Sequence, residues 1–326
     1  MKLHHLITFI CLWAFFASCE KKESPITLPP KSDGSVLQVD MGPTYDYQFF
    51  VNLETQKIVH ISQCRQWDLA FQSGPNEIGV YLNGAKQMAA LATGDTNFAS
   101  VNTVDTVQGS KTWKVDQASG EVDSTAIGDW TQKKQVYLIR LDNTGQQIRK
   151  IQLLDEDIFQ YRFMVGDVTS TQGAVITVPK NKNQNYTYFS FDFLTTVENV
   201  EPNKADWDIQ FTLYNYTFYD QNPPLPYVVN GVLLNKSSTS AYHDSVTVYD
   251  GIDANFASSV PLSNRRDVIG YAWKIFDRDL NFYTVDKRYN YIIKNQRNHY
   301  FKVRFLDFYS SGGVKGSPKF EYKQLK

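Results

Sequence analysis

The chain has 326 residues, 42% of them hydrophobic and 14% aromatic, which is enough apolar material for one large core or two of ordinary size. Its formal net charge of -1 and the lack of a basic block exclude a field that would gather nucleic acid, so no nucleic-acid partner is expected.

Residues 1–18 read as a secretory signal. Lys2 precedes an apolar run from Leu6 to Ala17, shorter than the ~20 residues that a membrane-spanning helix needs. Phe16, Ala17 and Ser18 stand directly before Cys19, an arrangement that resembles the bacterial lipobox and implies a lipid on Cys19 after cleavage. Residues 19–41, opening with "EKKES" after Cys19 and continuing through Pro25, Pro29, Pro30 and Gly34, read as a flexible, lipid-anchored linker. With Cys11 removed and Cys19 lipidated, Cys64 is the one remaining thiol, so no intramolecular disulfide can form in the mature chain.

Past the linker the pattern is β. Aromatic and β-branched residues alternate with polar ones in "YQFFVNL" (Tyr47 to Leu53), "VYLIRL" (Val136 to Leu141), "TYFSFDFL" (Thr187 to Leu194) and "FKVRFLDF" (Phe301 to Phe308). Turn signals such as Asn143-Thr144-Gly145 separate the runs. Only "NGAKQMAALA" (Asn83 to Ala92) and "DANFASSV" (Asp253 to Val260) suit short helices or turns. The expected fold class is all-β and antiparallel.

The chain also repeats itself. "WDLAF" (Trp67 to Phe71) returns as "WDIQF" (Trp207 to Phe211), and Phe49, Val51 and Leu53 upstream line up with Phe189, Phe191 and Phe193. Downstream, in the same order, "TNFAS" (Thr96 to Ser100) answers "ANFAS" (Ala254 to Ser258), "TWK" (Thr112 to Lys114) answers "AWK" (Ala272 to Lys274), and "YLIR" (Tyr137 to Arg140) answers "YIIK" (Tyr291 to Lys294). "KIQLLD" (Lys150 to Asp155) then answers "KVRFLD" (Lys302 to Asp307), and "QGAVITV" (Gln172 to Val178) answers "KGSPKFE" (Lys315 to Glu321). The order predicts a tandem duplication, with β domains at residues 42–183 and 184–326. In each WD block the tryptophan, the aliphatic residue and the phenylalanine alternate, so they are expected on one core-facing side of a strand. The aspartate between them should then turn to solvent or to a nearby backbone amide.

An aromatic opening strand, "WD[LI]xF", "NFAS", a lone Trp-Lys and a "Y[LI]I[RK]" to "K[IV]xxLD" hairpin together resemble the HmuY family of lipoproteins from Bacteroidetes. The stretches Phe50 to Phe71 and Gln135 to Leu153 are similar to the family's opening and central hairpin. The resemblance implies an all-β, non-enzymatic lipoprotein anchored at the outer membrane, on its cell-surface or periplasmic face, that captures heme in iron acquisition. It also implies two axial histidines or methionines between the "NFAS" match and the hairpin, since iron needs a donor on each side of the ring. Residues 101–135 and 259–290 contain neither residue type, so the family's ligand set does not carry over.

Mature histidines are His60, His243 and His299, and mature methionines are Met41, Met88 and Met164. Of these, His243 in "SAYHDSV" is the candidate for a cofactor contact. No metal site is expected, and neither HExxH, GxSxG, a Walker loop nor a paired-cysteine spacing appears, so no catalytic residues are assigned. The stretch "LYNYTFYDQNPPLPY" (Leu213 to Tyr227) sets tyrosines beside a proline run, and Tyr214, Tyr216, Tyr219 and Tyr227 are the candidate interaction surface. Two functions follow: a binder of heme or another iron-bearing ligand, or an accessory scaffold that docks a protein partner in the outer membrane without binding heme.

Overall fold

The computed structural model describes residues 34–106 and 112–326; the signal segment, Cys19 and the linker up to Asp33 lie outside the described residues. Alternating sequence becomes strand: β1 (Ser35–Gln38), β2 (Tyr47–Asn52), β3 (Lys57–Gln63), β4 (Leu69–Gln72), β5 (Val80–Leu82), β6 (Ala89–Ala92), β7 (Val136–Arg140), β8 (Ile148–Glu156) and β9 (Gln160–Asp167) come first. Then follow β10 (Ala174–Pro179), β11 (Tyr186–Ser190), β12 (Thr195–Val197), β13 (Ile209–Phe218), β14 (Leu225–Leu234) and β15 (Ser240–Asp244). The helix α1 (Ala254–Ser259), whose cap Asp253 accepts the Phe256 amide, precedes β16 (Lys274–Asp277), β17 (Phe282–Val285), β18 (Asn290–Lys294), β19 (Tyr300–Tyr309) and β20 (Lys315–Leu325).

Two five-stranded sheets have the orders β10-β9-β8-β7-β6 and β1-β20-β19-β18-β15, and two four-stranded sheets the orders β12-β11-β4-β5 and β14-β13-β2-β3. Each sheet maps onto its partner when β1 to β9 are matched in order with β10 to β15 and β18 to β20. Only the small β16–β17 sheet has no counterpart. The duplication is therefore a property of the fold, but the halves exchange their first strands. β10 and β11 pair with β9 and β4 of the first half, while β1 and β2 pair with β20 and β13 of the second.

The cores follow the exchange. In the first lobe Leu69, Phe71, Tyr137, Ile151 and Phe163 enclose Val178, Phe189 and Phe191. In the second, Ile209, Phe211, Trp273, Tyr291 and Val303 enclose Val39, Met41, Phe49, Val51 and Leu53. Residues 35–41 are thus not linker: β1 adds the edge strand to β20, and Val39 and Met41 are wholly buried. By this matching the second repeat opens with β10 (Ala174–Pro179), ahead of the expected division at residues 183 and 184, and each lobe borrows strands from the other repeat.

The aspartates of the two WD blocks hold the borrowed strands. Asp68 accepts the Phe191 amide at 2.7 Å, and its own amide donates to the Phe189 carbonyl at 2.8 Å. In the other lobe Asp208 accepts the Leu53 amide at 2.7 Å and donates to the Val51 carbonyl at 2.9 Å. The aspartate does turn to a backbone amide, and that amide belongs to the opposite repeat. Leu69, Phe71, Ile209 and Phe211 face the cores as the alternation requires, but Trp67 and Trp207 lie before the strands begin and pack outside those cores, edge-on to Tyr188 and Phe50.

Several sequence echoes are not structural equivalences. The clamp matches Val51 with Phe189 and Leu53 with Phe191, a slip of two residues that preserves face parity and leaves Phe193 exposed. Buried Lys150 donates to the carbonyls of Phe98 and Val101, and buried Lys302 to those of Tyr249 and Ile252. Phe98 therefore corresponds to Tyr249, and the second "NFAS" is the extra turn of helix α1. Trp273 lies in the second core as Trp130 does in the first, whereas Trp113 is half-buried beneath Arg140. β20 answers β9 and not β10, whose counterpart is β1.

Where the four-stranded sheets meet, the layer between them is polar. Gln48 donates to Ser62 and accepts from Gln210 and Thr212, and Arg266 donates to Gln210 and the Tyr186 hydroxyl. Burial raises the pKa of Asp116 to about 7, of Glu201 to about 7 and of Asp208 to about 6, in each case against the lowering effect of the amides that they accept.

Two outcomes are expected. Residues 42–183 and 184–326 expressed separately lack part of each core and should show no cooperative urea transition, whereas the chain from residue 34 onward should unfold in one. The raised carboxyls contribute stability that is fully present below the ordinary range of about 4 and is lost as pH rises through 6 to 7. The urea midpoint should therefore be higher at pH 5 than at pH 7.5, and Glu201→Gln, which keeps one oxygen for both amides it accepts, should flatten that slope.

Candidate functional site

The two lobes share one plan, and the second extends one hairpin and inserts another. In the first lobe the hairpin after the WD block is short, β4 and β5 pairing over Leu69–Leu82 to Phe71–Val80. In the second, β13 and β14 pair from Ile209–Leu234 out to Phe218–Leu225, and the turn contains the cis Asn222–Pro223 bond. The other enlargement, β16–β17, stands between core residue Trp273 and β18, where the first lobe has a turn between Trp130 and β7. The stretch from Leu213 to Tyr227 is therefore mostly a strand hairpin and not a loop, its alternation continuing beyond the core because both strands are long.

The four candidate tyrosines separate. Tyr214 is only 6% exposed and lies beneath β14, where a Cβ on Gly231 would come within 2.7 Å of its hydroxyl and 2.5 Å of the Gly270 carbonyl. It takes no part in an external surface. Tyr216 is half-buried against Phe218 at 5.0 Å and Tyr271 at 4.8 Å, while Tyr219 and Tyr227 are exposed.

Apolar residues that the sequence did not single out stand on both sides of the inserted hairpin: Phe276 pairs with Tyr283 on one side, and Ile275 and Phe282 lie on the other. Ile275, Phe276, Leu280 and Phe282 of the β16–β17 hairpin are exposed, as are Leu225 and Tyr227 of the other. Phe282 stacks on Tyr309 at 4.3 Å, the Tyr283 amide donates to the Tyr309 hydroxyl at 2.7 Å, and Phe276 meets Tyr283 at 4.8 Å. Burial raises the pKa of the Tyr45 phenol, and so do the neighbouring phenols of Tyr283, Tyr309 and Tyr227, which brings both hairpins and the β1–β2 connection to one place. Lys274 ties the hairpins at their base: it donates to the Asn230 carbonyl of β14 and sits 4.3 Å over Trp273 and 4.9 Å over Phe308. Burial lowers its pKa to about 7.

Among the described residues no iron donor of the expected kind faces these rings. His243 is in β15, between Tyr289 at 4.3 Å and Tyr291 at 5.1 Å, with burial lowering its pKa and its buried Nε2 unpartnered. His60 bonds the Asn199 carbonyl and His299 lies 3.4 Å from Glu54. Met41 and Met88 are core, Met164 packs beside Phe98, and Cys64 is buried with its thiol pKa raised by burial. Among the described residues no three His, Cys, Asp or Glu side chains gather as a metal site would require, and no helix is long and apolar enough to cross a membrane.

No curated protein matches this chain. Among solved structures, apo PinO from Porphyromonas gingivitis is 10% identical over 91% of this chain and 99% of its own, with a TM-score of 0.30. The apo HmuY analog of Tannerella forsythia is 10% identical over 90% of this chain and 96% of its own, with a TM-score of 0.27. A Bacteroides vulgatus protein named as HmuY-like and heme binding is 13% identical over 91% and 94%, with a TM-score of 0.22. The profile of the HmuY protein family matches residues 44–158 and again 182–322, once for each repeat. On that double match the chain belongs to the HmuY family.

Proposed function

We infer that this chain is a non-enzymatic, lipid-anchored binding protein whose ligand is a flat, largely apolar ring system of the heme class, held by stacking on the aromatic face of the β13–β14 and β16–β17 hairpins. The observation that carries the reading is the departure from symmetry: the hairpins that the second lobe extends or inserts carry exposed rings, with Tyr227 of one near Tyr283 of the other. An exposed apolar patch has a cost in solubility that an occupant would remove. Axial ligation by Tyr45 or Tyr283 as tyrosinate is disfavoured, since burial raises both pKa values. The ring, not the iron, is what this face recognises.

Titration of the chain from Glu20 onward with hemin and with iron-free protoporphyrin IX tests this. Both should quench tryptophan fluorescence saturably with similar affinity, without a sharpened Soret band in either oxidation state. Tyr227→Ser and Phe276→Ser should each weaken binding about two- to tenfold, since an aromatic contact is worth roughly 0.5–1.5 kcal/mol. If neither porphyrin binds and the lipidated protein instead recovers a stoichiometric membrane partner, the face is a docking surface and the scaffold reading replaces this one. Cys19→Ala should release the protein from membranes, checked by fractionation.

A further inference from the structure

A cavity of about 90 Å³ lies between the two four-stranded sheets, where the lobes meet. Its lining includes the rings of Trp67, Tyr186 and Tyr188 and the polar side chains of Asp116, Asn215 and Arg266. Its volume exceeds the roughly 10–15 Å³ that one water needs and is below the ~150 Å³ of a cavity that holds benzene. A solute of a few heavy atoms fits.

Arg266 sets the chemistry. Its Nε donates to the Leu234 carbonyl at 3.3 Å, Nη1 to the Tyr186 hydroxyl at 3.3 Å and Nη2 to Gln210 Oε1 at 3.1 Å, all neutral acceptors. A guanidinium has five N–H groups, so its fork is not fully used. The buried acids nearby are committed to backbone. Glu201 Oε1 accepts the amides of Asn185 at 2.6 Å and Tyr186 at 2.9 Å, and Asp116 accepts those of Leu82 at 2.6 Å and Ala126 at 2.7 Å. Glu201 lies near enough for its charge and that of Arg266 to favour each other, without a direct salt bridge between them among the described residues. Two more donors from lining residues, Trp67 Nε1 and Asn215 Nδ2, are buried without a partner, and Asn215 is 4% exposed.

Around this cavity, then, are a cation with no carboxylate in direct contact, spare N–H groups, and acids that already accept backbone amides. A neutral amide would satisfy the donors and leave the charge; an amine would do neither. We propose that the cavity is a binding site for a small carboxylate of formate to propionate size, with Arg266 as its charge partner and Trp67 and Asn215 as additional donors. The site is separate from the aromatic face and stands or falls independently of it.

The test is calorimetric titration of the chain from Glu20 onward with formate, acetate and propionate, with acetamide and ethylamine as controls, and a crystal grown in acetate. Saturable binding of the acids and not of the controls is expected, lost in Arg266→Met. Because that variant also breaks bonds to Tyr186 and Gln210, Trp67→Phe serves as the second probe. It keeps a ring against Tyr188, 5.1 Å away, and should weaken acetate about tenfold with an unchanged melting temperature. The proposal is overturned if no carboxylate binds saturably, if acetamide binds as well as acetate, or if the crystal shows only water in the cavity.

Discussion

The fold depends on one interaction made twice: a buried aspartate on the WD strand of one repeat accepting the amide of the opening strand of the other. Asp68 and Asp208 are each 1% exposed, so each needs an amide donor to be tolerated, and Asp68 adds Lys86 at 2.6 Å. The bond lies where the β4–β11 and β13–β2 ladders end, and it therefore fixes both register and partner. A one-residue slip would turn Phe189 or Val51 out of its core, and the clamp forbids it. With register fixed, the borrowed strands supply Phe189 and Phe191 to one lobe and Val51 and Leu53 to the other, and neither lobe can close alone.

Exchange also explains where difference is tolerated. A pair of lobes that share strands cannot alter their WD sheets independently, because every change in β4 or β13 is felt by a strand of the opposite repeat. Strands at the free end of a hairpin are not under that constraint. β13 and β14 extend beyond the clamp, and β16–β17 is inserted after Trp273, itself stacked on Phe305 at 4.0 Å. Both additions leave from a rigid core residue or strand, so rings displayed on them are positioned more firmly than rings on a loop would be.

The sequence made the repeat and its strand faces legible because both rest on local alternation. "YLIR" and "YIIK", with the strands that follow them, pair in the same register, Tyr137 with Ile151 and Tyr291 with Val303. The exchange was not legible, since an alternating pattern states which face of a strand is buried and not which strand lies beside it. Short echoes misled where composition repeats without position: the carbonyls that receive Lys302 come from Tyr249 and Ile252, residues that do not resemble "NFAS". Tyrosine enrichment correctly marked the β13–β14 hairpin, but Tyr214 belongs to its buried part, and the partner hairpin was missed. "KIFDRDLNFYTV" does not alternate, its apolar residues standing side by side at Ile275–Phe276 and Phe282–Tyr283, so no strand signal marked it.

The aromatic face finally shows why the N-terminal segment cannot be regarded as a tether alone. Tyr45, on the connection from β1 to β2, packs on Phe308 at 6.1 Å and joins Tyr283 and Tyr309 of the second lobe. The neighbouring Met41 is held at the centre of that lobe, its sulfur receiving the Asn230 side-chain amide. Asn230 is also the residue whose carbonyl anchors Lys274 at the base of the β16–β17 hairpin. One residue on β14 thus links the first described strand connection, the long hairpin and the inserted hairpin. The face exists only when the beginning of the folded chain has crossed to the second lobe, so strand exchange and aromatic face are aspects of a single arrangement.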